Sequence, residues 1–190
     1  MKTETEIWLV EDNEIFATGV QRTIDRLEGM RCGGRYGSVE QAFAALDAGG
    51  TPEVILLDVQ LPGMDGITAL SHLKAKAPGA QVVILTVFDD ADKIFRAVCA
   101  GASGYVLKSS TRAEIGEAIR QVIDGGASMA PEVARKVLDT LAHKDDSPGG
   151  DDYGVTPRQR DILRLMADGL VKKEIAEVLN ISVATVSTHM

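Results

Sequence analysis

The chain has 190 residues, 45% of them hydrophobic and 25% charged, and a net charge of −8. This is ordinary usage for one or two globular domains and excludes a disordered or fibrous chain. Seven of the eight excess negative charges fall in residues 1–150, so most of the surface should repel nucleic acid, and any DNA contact must come from a small local patch.

The opening residues, MKTETEIW, hold two acids and no apolar core, so they predict no signal peptide. The longest apolar stretch, Val82–Phe88, is too short to span a bilayer. A cytoplasmic protein with no membrane partner is expected. Cys32 and Cys99 lack any metal or framework spacing and read as reduced, packed thiols.

Ile7–Val10 (IWLV) is a short buried strand. A helix over 14–27 follows, with Ile15, Phe16, Val20, Ile24 and Leu27 on one face. Met30–Tyr36 is a second strand weakened by two glycines. Val39–Leu46 is a helix stopped by AGGTP, and Val54–Asp58 is a clear strand. Gly66–Lys76 is a helix ended by APGA, and Gln81–Val87 a strand. Ala91–Ala100 is a helix stopped at Gly101, Gly104–Lys108 a strand, and Arg112–Asp124 a helix stopped by Gly125 and Gly126. Five strand–helix units in a row predict an α/β fold, with a doubly wound, five-stranded parallel sheet covered on both faces.

Pro131 opens another helix to about His143, since proline suits a first turn. Lys144–Asp152 (KDDSPGGDD) is charged and rich in turn residues, the signature of a linker. Three short helical patterns follow: Pro157–Ala167, Lys172–Leu179 and Val183 onward. The expected division is a domain over 1–127, a linker helix and flexible linker over 128–152, and a small all-α segment over 153–190.

Sites in such sheets form at the carboxyl ends of the strands. There the sequence places Glu11 and Asp12, Asp58, Thr86 and Lys108. Singly, each has an ordinary explanation as a helix cap or a solvated side chain. Together, three carboxylates at one rim repel each other and call for a cation, and hard oxygen ligands suit Mg²⁺. A lysine ammonium and a threonine hydroxyl beside them can hold phosphoryl oxygens. The set fits phosphoryl transfer to an aspartate.

The motifs LVEDN, ILLDVQLPGMDG, ILTVFDD and GASGYVLK resemble the receiver domain of bacterial two-component response regulators, a flavodoxin-like fold. The resemblance implies that Asp58 is the phosphoacceptor, charged by a sensor histidine kinase. It implies direct Mg²⁺ ligation by Asp12 and Asp58, with Glu11 acting through water and Gln60 through its carbonyl. Thr86 and Lys108 would hold the phosphoryl oxygens, and Tyr105 falls on the family's aromatic switch position. Val87 and Phe88 are bulkier than the small residue usual after the switch threonine, which predicts a slowly hydrolysed acyl phosphate.

The segment TPRQRDILRLMADGLVKKEIAEVLNISVATVSTHM is similar to the start of the LuxR-type helix-turn-helix, which together with the receiver indicates the NarL/FixJ type. In this motif the second helix enters the major groove. By position, Lys173 would touch phosphate, Ser187 and Thr188 would face the bases, His189 falls on the family's frequent histidine, and Thr185 is a further expected DNA-binding residue. The family's motif continues past Met190, so the helix-turn-helix reads as incomplete. Val171 and Lys172 stand where the family usually has a capping Ser–Asn pair. The implied function is phosphorylation-controlled dimerisation and binding to double-stranded DNA, without a turnover enzyme's activity. An alternative is a receiver acting by protein contact, its C-terminal helices serving only to dock. An aspartyl-phosphate phosphohydrolase ranks last, because Gln60 stands where such enzymes need a second acid.

Overall fold

The computed structural model describes residues 4–87, 90–125, 128–129, 133–135, 137–138 and 156–188. Strands β1 (Thr5–Val10), β2 (Met30–Tyr36), β3 (Val54–Leu57), β4 (Gln81–Thr86) and β5 (Gly104–Leu107) alternate with five helices. These are α1 (Glu14–Ile24), α2 (Val39–Asp47), α3 (Gly66–Lys76), α4 (Ala91–Cys99) and α5 (Arg112–Ile123). All pairings are parallel, and the order is β2-β1-β3-β4-β5, with a two-residue β6 (Ser128–Met129) added beside β5. The expected five-stranded sheet is therefore present. The added strand falls within the stretch expected to be a linker.

Strand side chains alternate between two layers, as the period of two requires. Trp8, Val10, Ile55, Leu57, Val82, Ile84 and Tyr105 face α2, α3 and α4. Ile7, Leu9, Val54, Leu56, Val83, Leu85 and Val106 face α1 and α5. With both faces covered, β3 is buried at every position.

The helices start where capping residues stand. Asn13 accepts from Ile15 N and Phe16 N at the start of α1, and Asp65 does the same for Ile67 and Thr68 in α3. Thr111 and Glu114 form a reciprocal capping box on α5. Helix α1 stops at Ile24, so Leu27 lies beyond it. Cys99 is exposed rather than packed, because it falls on the outer side of α4.

Three C-terminal helices follow: α6 (Pro157–Ala167), α7 (Lys172–Val178) and α8 (Val183–Thr188). Thr156 and Gln159 box the start of α6, with Pro157 in the first turn. Between α7 and α8, Asn180 adopts φ 51°, a left-handed conformation that asparagine tolerates. Asn180 N donates to Glu177 O, and Ile181 N to Ala176 O at 2.9 Å, a Schellman stop that sets the turn. Ile162, Met166, Ile175, Ala176 and Val186 form the core, with Leu179 and Ile181 packed against it.

Candidate functional site

The chain runs from β1 to β2 on one side and on to β3 on the other, so β1 and β3 flank the point where strand order reverses. Glu11 and Asp12 follow β1, and Asp58 follows β3. One carboxylate oxygen from each lies within 4.8 Å of the others. Asp58 is 2% exposed and Glu11 3%, whereas Asp12 and Gln60 are exposed at the mouth. Asp12, Gln60, Lys93 and Arg96 line an adjoining cavity of about 530 Å³.

Lys108, just past β5, reaches across to this acidic pair. Its Nζ lies 2.8 Å from Asp58 Oδ2 and 2.6 Å from Glu11 Oε2. Burial alone would lower the Lys108 pKa, but the bond to Asp58 and the contact with Glu11 outweigh it and hold the ammonium above the usual lysine range. For Glu11, burial dominates and raises the carboxyl, with the Lys108 contact opposing it. Lys108 Nζ also sits 5.0 Å from the Phe16 ring centroid, a cation–π contact. Phe16 was legible only as an apolar helix position. Asn13 was likewise missed as a site residue, although its backbone N–H donates to Glu11 Oε1 at 3.1 Å while its side chain caps α1.

The donor set fits a hard divalent cation. Three carboxylates supply hard oxygen ligands, and Lys108 offsets part of the charge on Asp58 and Glu11. Asp58 Oδ1 is buried and has no hydrogen-bond partner among the described residues, a costly arrangement for a carboxylate unless a further group joins it.

Thr86 ends β4 fully buried, and its carbonyl accepts from Lys108 N at 2.7 Å. Tyr105 is 2% exposed and pairs with Ile84 in the neighbouring strand. Its ring belongs to the layer facing α2–α4 and lines a groove of about 300 Å³ beside α5 and Met129. The sheet thus brings Glu11, Asp12, Asp58 and Lys108 together at one rim, with Thr86 ending the strand between β3 and β5.

Of the C-terminal candidates, Lys173 lies on α7 and Thr185 on α8. Lys173 is exposed and shares a cavity of about 310 Å³ with Gln121, Asp124, Gly125, Lys172 and Val183. Thr185 N donates to Ser182 Oγ at 3.0 Å, and the two hydroxyls share a 2.8 Å bond, so Ser182 caps α8. Ser187 and Thr188 fall on α8 with their side chains outside the described part, and His189 lies beyond it. Lys172 is only 4% exposed. Burial, with added repulsion from Lys74, lowers its pKa to about 8.

A buried aspartate at the switch point of a doubly wound sheet, ringed by two acids and a lysine and followed by a helix-turn-helix, defines a receiver-type regulator. The response regulator receiver domain matches residues 7–120, and the luxR family of bacterial regulatory proteins matches residues 154–190. The chain belongs to the bacterial response regulators that join a receiver to a LuxR-type DNA-binding domain, which places it in two-component transcription regulation. It is 39% identical over 140 residues to the transcriptional regulatory protein LiaR of Bacillus subtilis, covering 74% of this chain and 66% of that protein. It is 30% identical over 184 residues to the nitrate/nitrite response regulator NarL of Escherichia coli K12, covering 97% and 85%. A solved LuxR-family two-component response regulator from Aurantimonas sp. SI85-9A1 superposes with a TM-score of 0.68 at 31% identity, over 73% of this chain and 99% of that one. Among the described residues, no helix is long and apolar enough to cross a membrane.

Proposed function

We propose that Asp58 accepts a phosphoryl group from a sensor histidine kinase, and that this controls dimerisation and binding to double-stranded DNA. The observation that carries the reading is Asp58 Oδ1, buried and without a partner beside Glu11, Asp12 and Lys108. A carboxylate oxygen of Asp58 attacks phosphorus as the bond to the kinase imidazole breaks, and the imidazole nitrogen keeps the electron pair. Asp12 and Asp58 would hold Mg²⁺ directly, with Glu11 through water and the Gln60 carbonyl as a further ligand. The ion, when bound, offsets charge between the carboxylates and the incoming phosphoryl oxygens.

Lys108 exchanges part of its pairing with Asp58 for a phosphoryl oxygen, and Thr86 donates its hydroxyl to another. The protein turns over no substrate beyond its own acyl phosphate. Lys173 contacts the DNA backbone, and Thr185, Ser187, Thr188 and His189 face the groove. The whole process takes place in the cytoplasm, on two half-sites read by a homodimer.

Acetyl phosphate with Mg²⁺ should label the wild type and not Asp58→Asn. Retained labelling of the variant would displace the phosphoryl group to another residue. DNA affinity should fall steeply with salt, as for any phosphate-contacting protein, and should depend on Asp58.

A further inference from the structure

We propose that Met129, Val133, Ala134, Val137 and Leu138 form a lever that carries the position of Tyr105 to the DNA-binding helices, with Met129 as its positioning residue. The proposal rests on the phosphoacceptor reading of Asp58 and adds a route from that site to α6. Strand β6 pairs with β5 at only two positions, Gly104 with Ser128 and Tyr105 with Met129. A pairing this short has few hydrogen bonds to lose, so a small change at Tyr105 can shift it. Met129 packs against both the Tyr105 layer and the core of the C-terminal helices.

The helical residues that follow divide the same way. Val133 and Val137, one turn apart, are buried in the Tyr105 layer at 5% and 0% exposure. On the adjacent stripe, Ala134 joins the helix-turn-helix core, and Leu138 packs against both that core and the Tyr105 layer. This is what the i, i+4 rule requires of a helix wedged between two bodies. Leu163 of α6, 2% exposed, completes the path by packing into the Tyr105 layer.

A contiguous path transmits only if its parts have a second arrangement available. The groove of about 300 Å³ walled by Tyr105, Leu107, Ala118, Met129 and Val133 provides that volume. A ring or thioether moving into it must draw β6 along the β5 edge. Val133 and Val137 are anchored to the same layer, so the displacement passes to Ala134 and Leu138, and hence to α6.

The test is hydrogen exchange read by mass spectrometry on the full chain, with and without acetyl phosphate and Mg²⁺. In the wild type, labelling of Asp58 should change exchange severalfold both in 128–138 and in α6. Met129→Ala should be labelled at the wild-type rate and lose the change in α6, and Met129→Leu should restore it. Val137→Ala, at the far end of the receiver-facing stripe, should interrupt the change independently. A merely structural role for Met129 would raise α6 exchange before labelling and leave the difference intact. That result, or a labelled wild type with no change in α6, overturns the lever and leaves the phosphoacceptor reading standing. A wild type that takes no label overturns the phosphoacceptor reading, and the lever falls with it.

Discussion

Helix α3 starts so close to β3 that a β-carbon on Gly66 would overlap the carbonyl oxygen of Asp58 and sit 3.1 Å from Val59 Cα. Gly66 N also donates to Val59 O at 3.0 Å, which pins the helix start to the strand end. Both atoms that a side chain would meet are backbone, so neither can swing away. Gly66→Ala should cost roughly 1–3 kcal/mol in urea unfolding, the usual range for an overpacked site. It should also depress acetyl phosphate labelling of Asp58 more than tenfold, because the overlap displaces the acceptor's own backbone. A variant labelled at the wild-type rate would show that the strand end relaxes freely.

Lys172 is buried where Lys74 repels it from α3, with Lys173 beside it and Asp124 across the shared cavity. Its pKa falls from 10.5 to about 8, so between those values the folded chain binds fewer protons than the unfolded one. Stability gains from this group as pH rises through that window, and the burial cost is fully felt below it. Lys172→Met should raise the unfolding midpoint at neutral pH and flatten its rise between pH 8 and 10.5. Parallel pH profiles of variant and wild type would remove Lys172 as the source.

Val87 is 62% exposed just past Thr86, so trimming it should leave stability within about 0.5 kcal/mol. If its bulk shields the acyl phosphate from water, Val87→Ala should shorten the phosphoryl lifetime severalfold. An unchanged decay rate, followed by phosphate-affinity gels, would remove Val87 from that role.

Val171 occupies the N-cap of α7 with no side-chain acceptor, while Glu174 reaches back to its N–H at 3.0 Å. Half of a capping box is therefore already in place. Val171→Ser should complete it and stabilise the fold by about 1 kcal/mol in thermal unfolding.

The acidic rim was readable because it depends on local order: a strand ends, a carboxylate follows, and the parallel topology gathers the ends. Gly66–Lys76 was read to the residue because Asp65 caps it and APGA stops it. The glycines that weakened β2 have a tertiary reason. A β-carbon at Gly33 would meet the Glu6 side chain, and one at Gly34 the Tyr36 ring, beside a register shift in the β1–β2 pairing. Three features were invisible because each depends on a distant contact: Phe16 beneath Lys108, the burial of Lys172, and the pairing of Met129 with Tyr105. A two-residue strand has no period to detect.

The alternation of strand side chains also bears on the genetics of this protein. Ile7, Leu9 and Leu56 belong to the layer facing α1 and α5, whereas Ile55, Ile84 and Tyr105 share a layer with Val133, Val137 and Leu163. Neighbours one position apart along the same strand therefore belong to different neighbourhoods. Suppressors of a lesion at Leu56 should arise inside the receiver, while suppressors of one at Ile55 can also be recovered far along the chain, in α6. A map of such revertants would separate alternate positions within each strand.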